Sequence, residues 1–304
     1  MSVVTESFNS SDLQRVGNIQ LLAKQVVEGL SGGVHKSPHK GVSVEFKQHR
    51  QYVPGDEIRH LDWKVFGKTD RFYIREYEEE TTLRATLLLD CSGSMGYGDD
   101  GISSNDGMTK HQYATRLAAC LAYLMLGQQD SVGLVTFDEK LRNIIPTRSR
   151  PSHLRVLMEE MESATPGSES QLSLVFREIA PKLKRRGLVV VISDCFCDVN
   201  ELLKSLAYFR HAKNEVIVFQ IWHTDELDFP FKRWSRFECL ERDGTHQMID
   251  PAHLREAYLE NLRRYRDELS QGCSRRRIDL VPIATDQPYA EALSYYLARR
   301  MRKK

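Results

Sequence analysis

Apolar residues recur at helical spacing between positions 12 and 30. Leu13, Val16, Ile19, Leu22, Val26, Val27 and Leu30 form one stripe before Gly32-Gly33 ends it. Residues 35–70 are polar, spotted with aromatics and broken by Pro38, Pro54 and Gly55, which predicts loops and short strands. Residues 71–77 alternate, and 86–89 form a continuous apolar strand that stops at Asp90. From there strands and helices take turns. Ala114, Leu117, Ala118, Leu121, Leu124 and Met125 predict a core-facing helix over 111–127. Strands are expected at 131–137, 141–145, 188–193 and 216–222, with helices over 154–161, 172–183 and 201–211. Residues 188–193 are apolar almost throughout, as in a strand covered on both faces. This alternation predicts an α/β fold with a doubly wound, mainly parallel sheet.

After Trp222 the rhythm breaks. Residues 223–250 read as an excursion with a hairpin turning at Asp243-Gly244, and a long helix follows from Pro251 to about Gln271. A strand over 278–284 and a helix over 289–301 close the chain. The expected organisation is therefore an N-terminal helix and polar segment, 1–79, packing on a main domain, 80–304, that carries an α+β insertion at about 223–275.

Composition narrows the function classes. Charged residues make up 28% and nearly cancel, 43 basic against 42 acidic, so the chain as a whole is no electrostatic trap for nucleic acid. The basic runs at 184–186, 275–277 and 299–304 read as solvated helix ends. The first residues lack a signal-peptide pattern, and no apolar run approaches the roughly 18 residues of a membrane span. Six cysteines show no disulfide-framework spacing and no paired CxxC, which suggests reduced thiols in a cytoplasmic setting.

Two strand ends carry unusual polar chemistry: Asp90-Cys-Ser92-Gly-Ser94-Met-Gly96 and Ser193-Asp194. In a doubly wound sheet such ends face the ligand crevice. Asp90, Ser92 and Ser94 place a carboxylate and two hydroxyls on one tight loop, a set of hard oxygen ligands suited to Mg²⁺. Here the chain resembles the von Willebrand factor type A domain, whose metal-ion-dependent adhesion site uses Asp-x-Ser-x-Ser, then a Thr, then an Asp. Asp90, Ser92 and Ser94 match the first element and Asp194 the last. The middle element departs from the pattern: 166–172 reads Pro-Gly-Ser-Glu-Ser-Gln-Leu, with Ser170 as the best-placed hydroxyl and Ser168 next. The resemblance implies one Mg²⁺ or Mn²⁺ held by Asp90, Ser92, Ser94 and Ser170. Asp194 would orient a bound water, and one position would stay open for an acidic side chain of a partner protein. Without metal, the same loop can hold itself together through side-chain bonds to backbone amides.

A second resemblance covers nearly the whole chain. Residues 41–46 (GVSVEF), 52–59 (YVPGDEIR), 61–63 (LDW) and 68–75 (KTDRFYIR) are similar to the signature of the domain of unknown function 58 family, which joins this segment to a type A-like domain. That resemblance implies association with MoxR-type AAA+ ATPases in assembling or remodelling other proteins. Within the segment, Asp56, Arg59, Asp62, Trp63 and Arg71 are candidates for docking a partner, with ion-paired scaffolding as the plainer reading. Asp70 could join that network, and Phe66 could anchor beside Trp63.

Catalysis finds less support. Ser92 lacks a Gly-x-Ser-x-Gly elbow, position 97 is Tyr where a phosphatase loop around Cys91 needs Arg, and no phosphate-binding Gly-x-x-x-x-Gly-Lys-Ser/Thr loop occurs. Cys195-Phe-Cys197 is read as ordinary loop thiols. The expectation is a non-enzymatic, metal-dependent binding protein. A metal-dependent hydrolase using the same site and an interaction protein with a metal-free loop are the alternatives.

Overall fold

The structure, a computed structural model, describes residues 10–31, 45–53, 61–78, 83–98, 108–167, 171–183, 186–241 and 244–301. Helix α1 spans Ser10–Ser31, as its apolar stripe predicts. The chain divides into two compact units, one of residues 36–82 and one combining 1–35 with 83–304. The expected grouping of 1–79 thus breaks in two: Ile19, Ala23 and Val27 of α1 belong to the core of the larger unit.

The small unit pairs β1 (Glu45–Gln51) antiparallel with β2 (Tyr73–Glu78) around a short helix, α2 (Trp63–Thr69). Asp62 starts α2 by accepting from the amides of Lys64 and Val65, and Asp70 ends it in the left-handed region at φ 53°. Asp62 thus caps the start of the helix and Asp70 its end. Phe66 stacks on Phe72 with ring centroids 4.5 Å apart, Trp63 meets Phe66 edge-on, and Trp63 is 61% exposed. Arg71 is exposed. Asp56 and Arg59 lie outside the described residues.

In the large unit the chain runs β3 (Arg84–Asp90), α3 (Lys110–Gly127), β4 (Ser131–Phe137), β5 (Leu141–Arg148), α4 (His153–Ser163), α5 (Leu172–Ile179), β6 (Leu188–Ser193), α6 (Val199–His211) and β7 (Glu215–Trp222). Then follow α7 (Thr224–Asp228), the antiparallel pair β8 (Ser235–Glu238) and β9 (His246–Ile249), α8 (Pro251–Arg275), β10 (Asp279–Ala284) and α9 (Tyr289–Met301). The six-stranded sheet has the order β10-β7-β6-β3-β4-β5, parallel except for the edge strand β5. Its two prolines, Pro146 and Pro282, fall in β5 and β10, the edge strands, where a missing N–H is tolerated.

Alternation along the central strands sorts the core into two layers. Leu87, Leu89, Val190, Ile192, Ile217 and Phe219 pack with α1, α3, α4 and α9. Leu88, Val189, Val191, Val216 and Val218 face α5, α6 and α8. Helix α8 is the regular crossover between β7 and β10, since Leu269 and Cys273 are buried in the second layer. The excursion is accordingly shorter than 223–275 and ends near Asp250. Among the described residues, no helix is long and apolar enough to cross a membrane.

Candidate functional site

Because β4 and β5 lie on one side of β3 and β6 on the other, the strand order reverses between β3 and β6, and a crevice opens at their carboxyl ends. Asp90 ends β3 and Asp194 follows β6, so the topology alone brings together two carboxylates 104 positions apart in sequence, both buried.

The Asp90 loop is tightly organised. One carboxylate oxygen accepts from the Ser92 amide at 2.9 Å and the other from the Ser193 hydroxyl at 2.5 Å. Ser92 and Ser94 hold their hydroxyl oxygens 3.2 Å apart at a single 3₁₀ turn, Gly93–Gly96. Burial first, and the charge of Asp194 second, push the Asp90 carboxyl up to about 7. Next to it passes the loop expected to supply the third element. The Gly167 amide donates to the Cys91 carbonyl at 2.9 Å, and Arg142 of β5 clasps that loop by donating to the Thr165 carbonyl while pairing with Asp138 at 2.7 Å. Ser168 and Ser170, immediately beyond, lie outside the described residues. Gly93 is required by close approach: a Cβ there would collide with the backbone carbonyls of Gly167 and of Leu240, in the excursion.

Sequence reasoning missed the site's cation. Lys110, the first residue of α3, is 1% exposed in its side chain and sends its ammonium to Asp194 at 2.8 Å and to Glu226 of α7 at 2.6 Å. The ring of Phe196 lies 4.9 Å from the same nitrogen. Burial would lower the lysine's pKa, but the charges of Asp194 and then Glu226 outweigh it and hold the group well above its ordinary value. Glu226 is raised by its own burial, with Lys110 acting against that. The one sequence signal was a lysine directly after the helix cap Thr109, where a helix favours acidic residues.

Further contacts tie the excursion to the crevice. Tyr97 donates to Asp225 at 3.1 Å, and Tyr258 donates to the Glu226 carbonyl at 3.0 Å. His223 Nδ1 accepts from the Asp225 amide at 3.2 Å, and burial lowers the histidine's pKa. Asp225 Oδ2 also lies 3.5 Å from that nitrogen. Cys195 is fully buried, and burial pushes the Cys197 thiol up to about 12, so neither is a poised thiolate. All six cysteines are free.

Hydroxyl and carboxylate oxygens are the donors a hard divalent cation takes, so Asp90, Ser92 and Ser94 fit the expected ion in kind. Among the described residues no three His, Cys, Asp or Glu side chains gather into a metal cage.

The chain is 23% identical over 290 residues to an uncharacterized protein of Mycobacterium tuberculosis, covering 93% of this chain and 88% of that protein, and equally to one of Mycobacterium bovis. BatB from Bacteroides thetaiotaomicron superposes with a TM-score of 0.48 at 15% identity, over 73% of this chain and 100% of that one. The SpRpn10 VWA domain gives 0.39 at 14% identity, over 70% and 94%. These superpositions are loose, and the doubly wound, type A-like architecture stands on the strand order and on the loops that end β3 and β6. Residues 48–268, well over half of the sequence, match the family described as "Protein of unknown function DUF58", and the chain belongs to that family.

Proposed function

We propose that this chain is a non-enzymatic, divalent-metal-dependent protein-binding module, acting beside a MoxR-type AAA+ ATPase in the assembly or remodelling of other proteins. The observation that supports it is the meeting of Asp90, Ser92 and Ser94 with Asp194 in one buried crevice at the switch point of the sheet. Asp90, Ser92 and Ser94 would hold Mg²⁺ or Mn²⁺, with Ser170 as the hydroxyl of the third loop and Asp194 orienting water. The ion would supply an open position for a carboxylate of the partner, an interaction that chelators abolish. The ATPase association comes from the family resemblance of the 41–75 segment. ATP hydrolysis is assigned to the partner because this sequence has no phosphate-binding loop. A cytoplasmic setting belongs to the same reading and rests on the six free thiols.

A second reading, an interaction protein whose loop works without metal, is favoured by one observation. Both oxygens of Asp90 already accept hydrogen bonds, and Asp194 already has a cation. Calorimetric titration of Mg²⁺ and Mn²⁺ into chelator-stripped protein decides between them, with Asp90→Ala alongside and both folds checked by circular dichroism. The metal-dependent module gives saturable binding that the variant loses. No heat of binding to the wild type up to millimolar metal rejects it and leaves the metal-free reading.

A further inference from the structure

The start of α3 breaks a rule that helices usually keep. A cation in the first turn faces the positive end of the helix dipole, and a buried ammonium must be held by partners that replace water. Lys110 nevertheless sits there fully enclosed, with Asp194, Glu226 and Phe196 around its nitrogen. Thr109 and Gln112 form a reciprocal capping box that fixes the turn carrying it, so its position is set by the fold. Local rules broken at this cost mark function more often than scaffold.

The charges explain what the lysine does. Asp90, Asp194 and Glu226 bring three carboxylates to the crevice and its wall, and Lys110 offsets one. Both Asp194 oxygens are already engaged: Oδ2 accepts from the Lys110 ammonium at 2.8 Å and Oδ1 from the Phe196 amide at 3.2 Å. We propose that Lys110 is a built-in competitor for the Asp194 carboxylate and sets how tightly the crevice takes a divalent cation. The proposal rests on the metal-dependent reading above and specifies its control. Glu226 is the counterweight: from α7 it draws the ammonium away from Asp194. Anything that shifts α7 therefore changes the metal affinity.

Calorimetric titration of Mn²⁺ into chelator-stripped Lys110→Met, Lys110→Arg and Glu226→Gln, beside wild type, tests this. Removing the ammonium frees Asp194 and lifts a like-charge repulsion, so Lys110→Met binds about tenfold tighter or more. Lys110→Arg, which keeps the charge, stays within about threefold of wild type. Glu226→Gln leaves the ammonium to Asp194 alone and binds at least about threefold weaker. A lysine that merely braced the fold would make both the methionine and the glutamine variants bind worse. Folded Lys110→Met with equal or weaker affinity overturns the proposal. Should that variant not fold, an unchanged affinity in folded Glu226→Gln overturns it. Binding by Lys110→Met but not by wild type sustains the competition at Asp194 and rejects the metal-dependent reading of the wild type. Binding by neither removes both.

Discussion

His111 follows Lys110 on α3 and faces inward, 6% exposed, with its Nε2 lacking a partner among the described residues. Burial, with a smaller contribution from the Arg142 charge, lowers its pKa from 6.5 to about 4. The unfolded chain therefore takes up a proton near pH 6.5 that the folded chain refuses until about pH 4, so stability falls as pH drops through that window. The loss amounts to on the order of 3 kcal/mol by pH 4. Replacing His111 by Leu removes this slope and leaves the other titrating groups alone. The difference between the two proteins in urea unfolding, followed from pH 7 to pH 4, isolates it, and parallel curves would refute the assignment. At this scale the sequence was legible where a residue's own neighbours revealed it. Asp90 and Asp194 stood out because each closes an apolar strand, and Ser92 and Ser94 because they share its loop. Lys110 and Glu226 stayed hidden because their meaning lies in a convergence of chain segments 84 and 116 residues apart.

Glycines show how differently two elements respond to one added methyl. In the 3₁₀ turn of the Asp90 loop, a Cβ on Gly93 would strike the carbonyls of Gly167 and Leu240, both backbone atoms that cannot rotate aside. At the end of α3, a Cβ on Gly127 would meet nothing within 4 Å. Gly93→Ala should therefore destabilise by about 1–3 kcal/mol, the usual effect of overpacking, and weaken Mn²⁺ binding with it. Gly127→Ala should stabilise by up to about 1 kcal/mol through reduced freedom of the unfolded chain. Urea denaturation reads both, and a neutral Gly93→Ala would show that the excursion does not rest on the loop. The elements that burial dictates, the parallel strands and α3, were readable from their apolar pattern. Helix α2 was not: its seven residues, WKVFGKT, carry no helical stripe, and its limits are set by the caps Asp62 and Asp70. Helix α8 was counted as part of the excursion because only a few of its 25 residues, among them Leu262, Leu269 and Cys273, are buried in the core.

For the whole molecule, metal and stability are one equilibrium viewed from two sides. The crevice exists only when β3 and β6 lie side by side, so the unfolded chain has no such site, and an ion bound there stabilises the fold by mass action. With metal at a hundred times its dissociation constant the gain is about 2.7 kcal/mol. In a domain of this size that raises the melting temperature by roughly 5–10 °C. Mg²⁺ added to chelator-stripped protein should produce this rise, with NaCl of equal ionic strength as the control because screening alone acts on surface pairs. Asp90→Asn, which nearly keeps the side chain's size and removes its charge, should show no more than the NaCl effect. An equal rise in the variant would place the ion elsewhere on the protein. The size of the rise also reports the lysine: at one fixed Mg²⁺ concentration, Lys110→Met should gain more than wild type and Glu226→Gln less, whatever their melting temperatures without metal. That ordering belongs to the assembled sheet as a whole, since the three residues that set it come from α3, α7 and the end of β6.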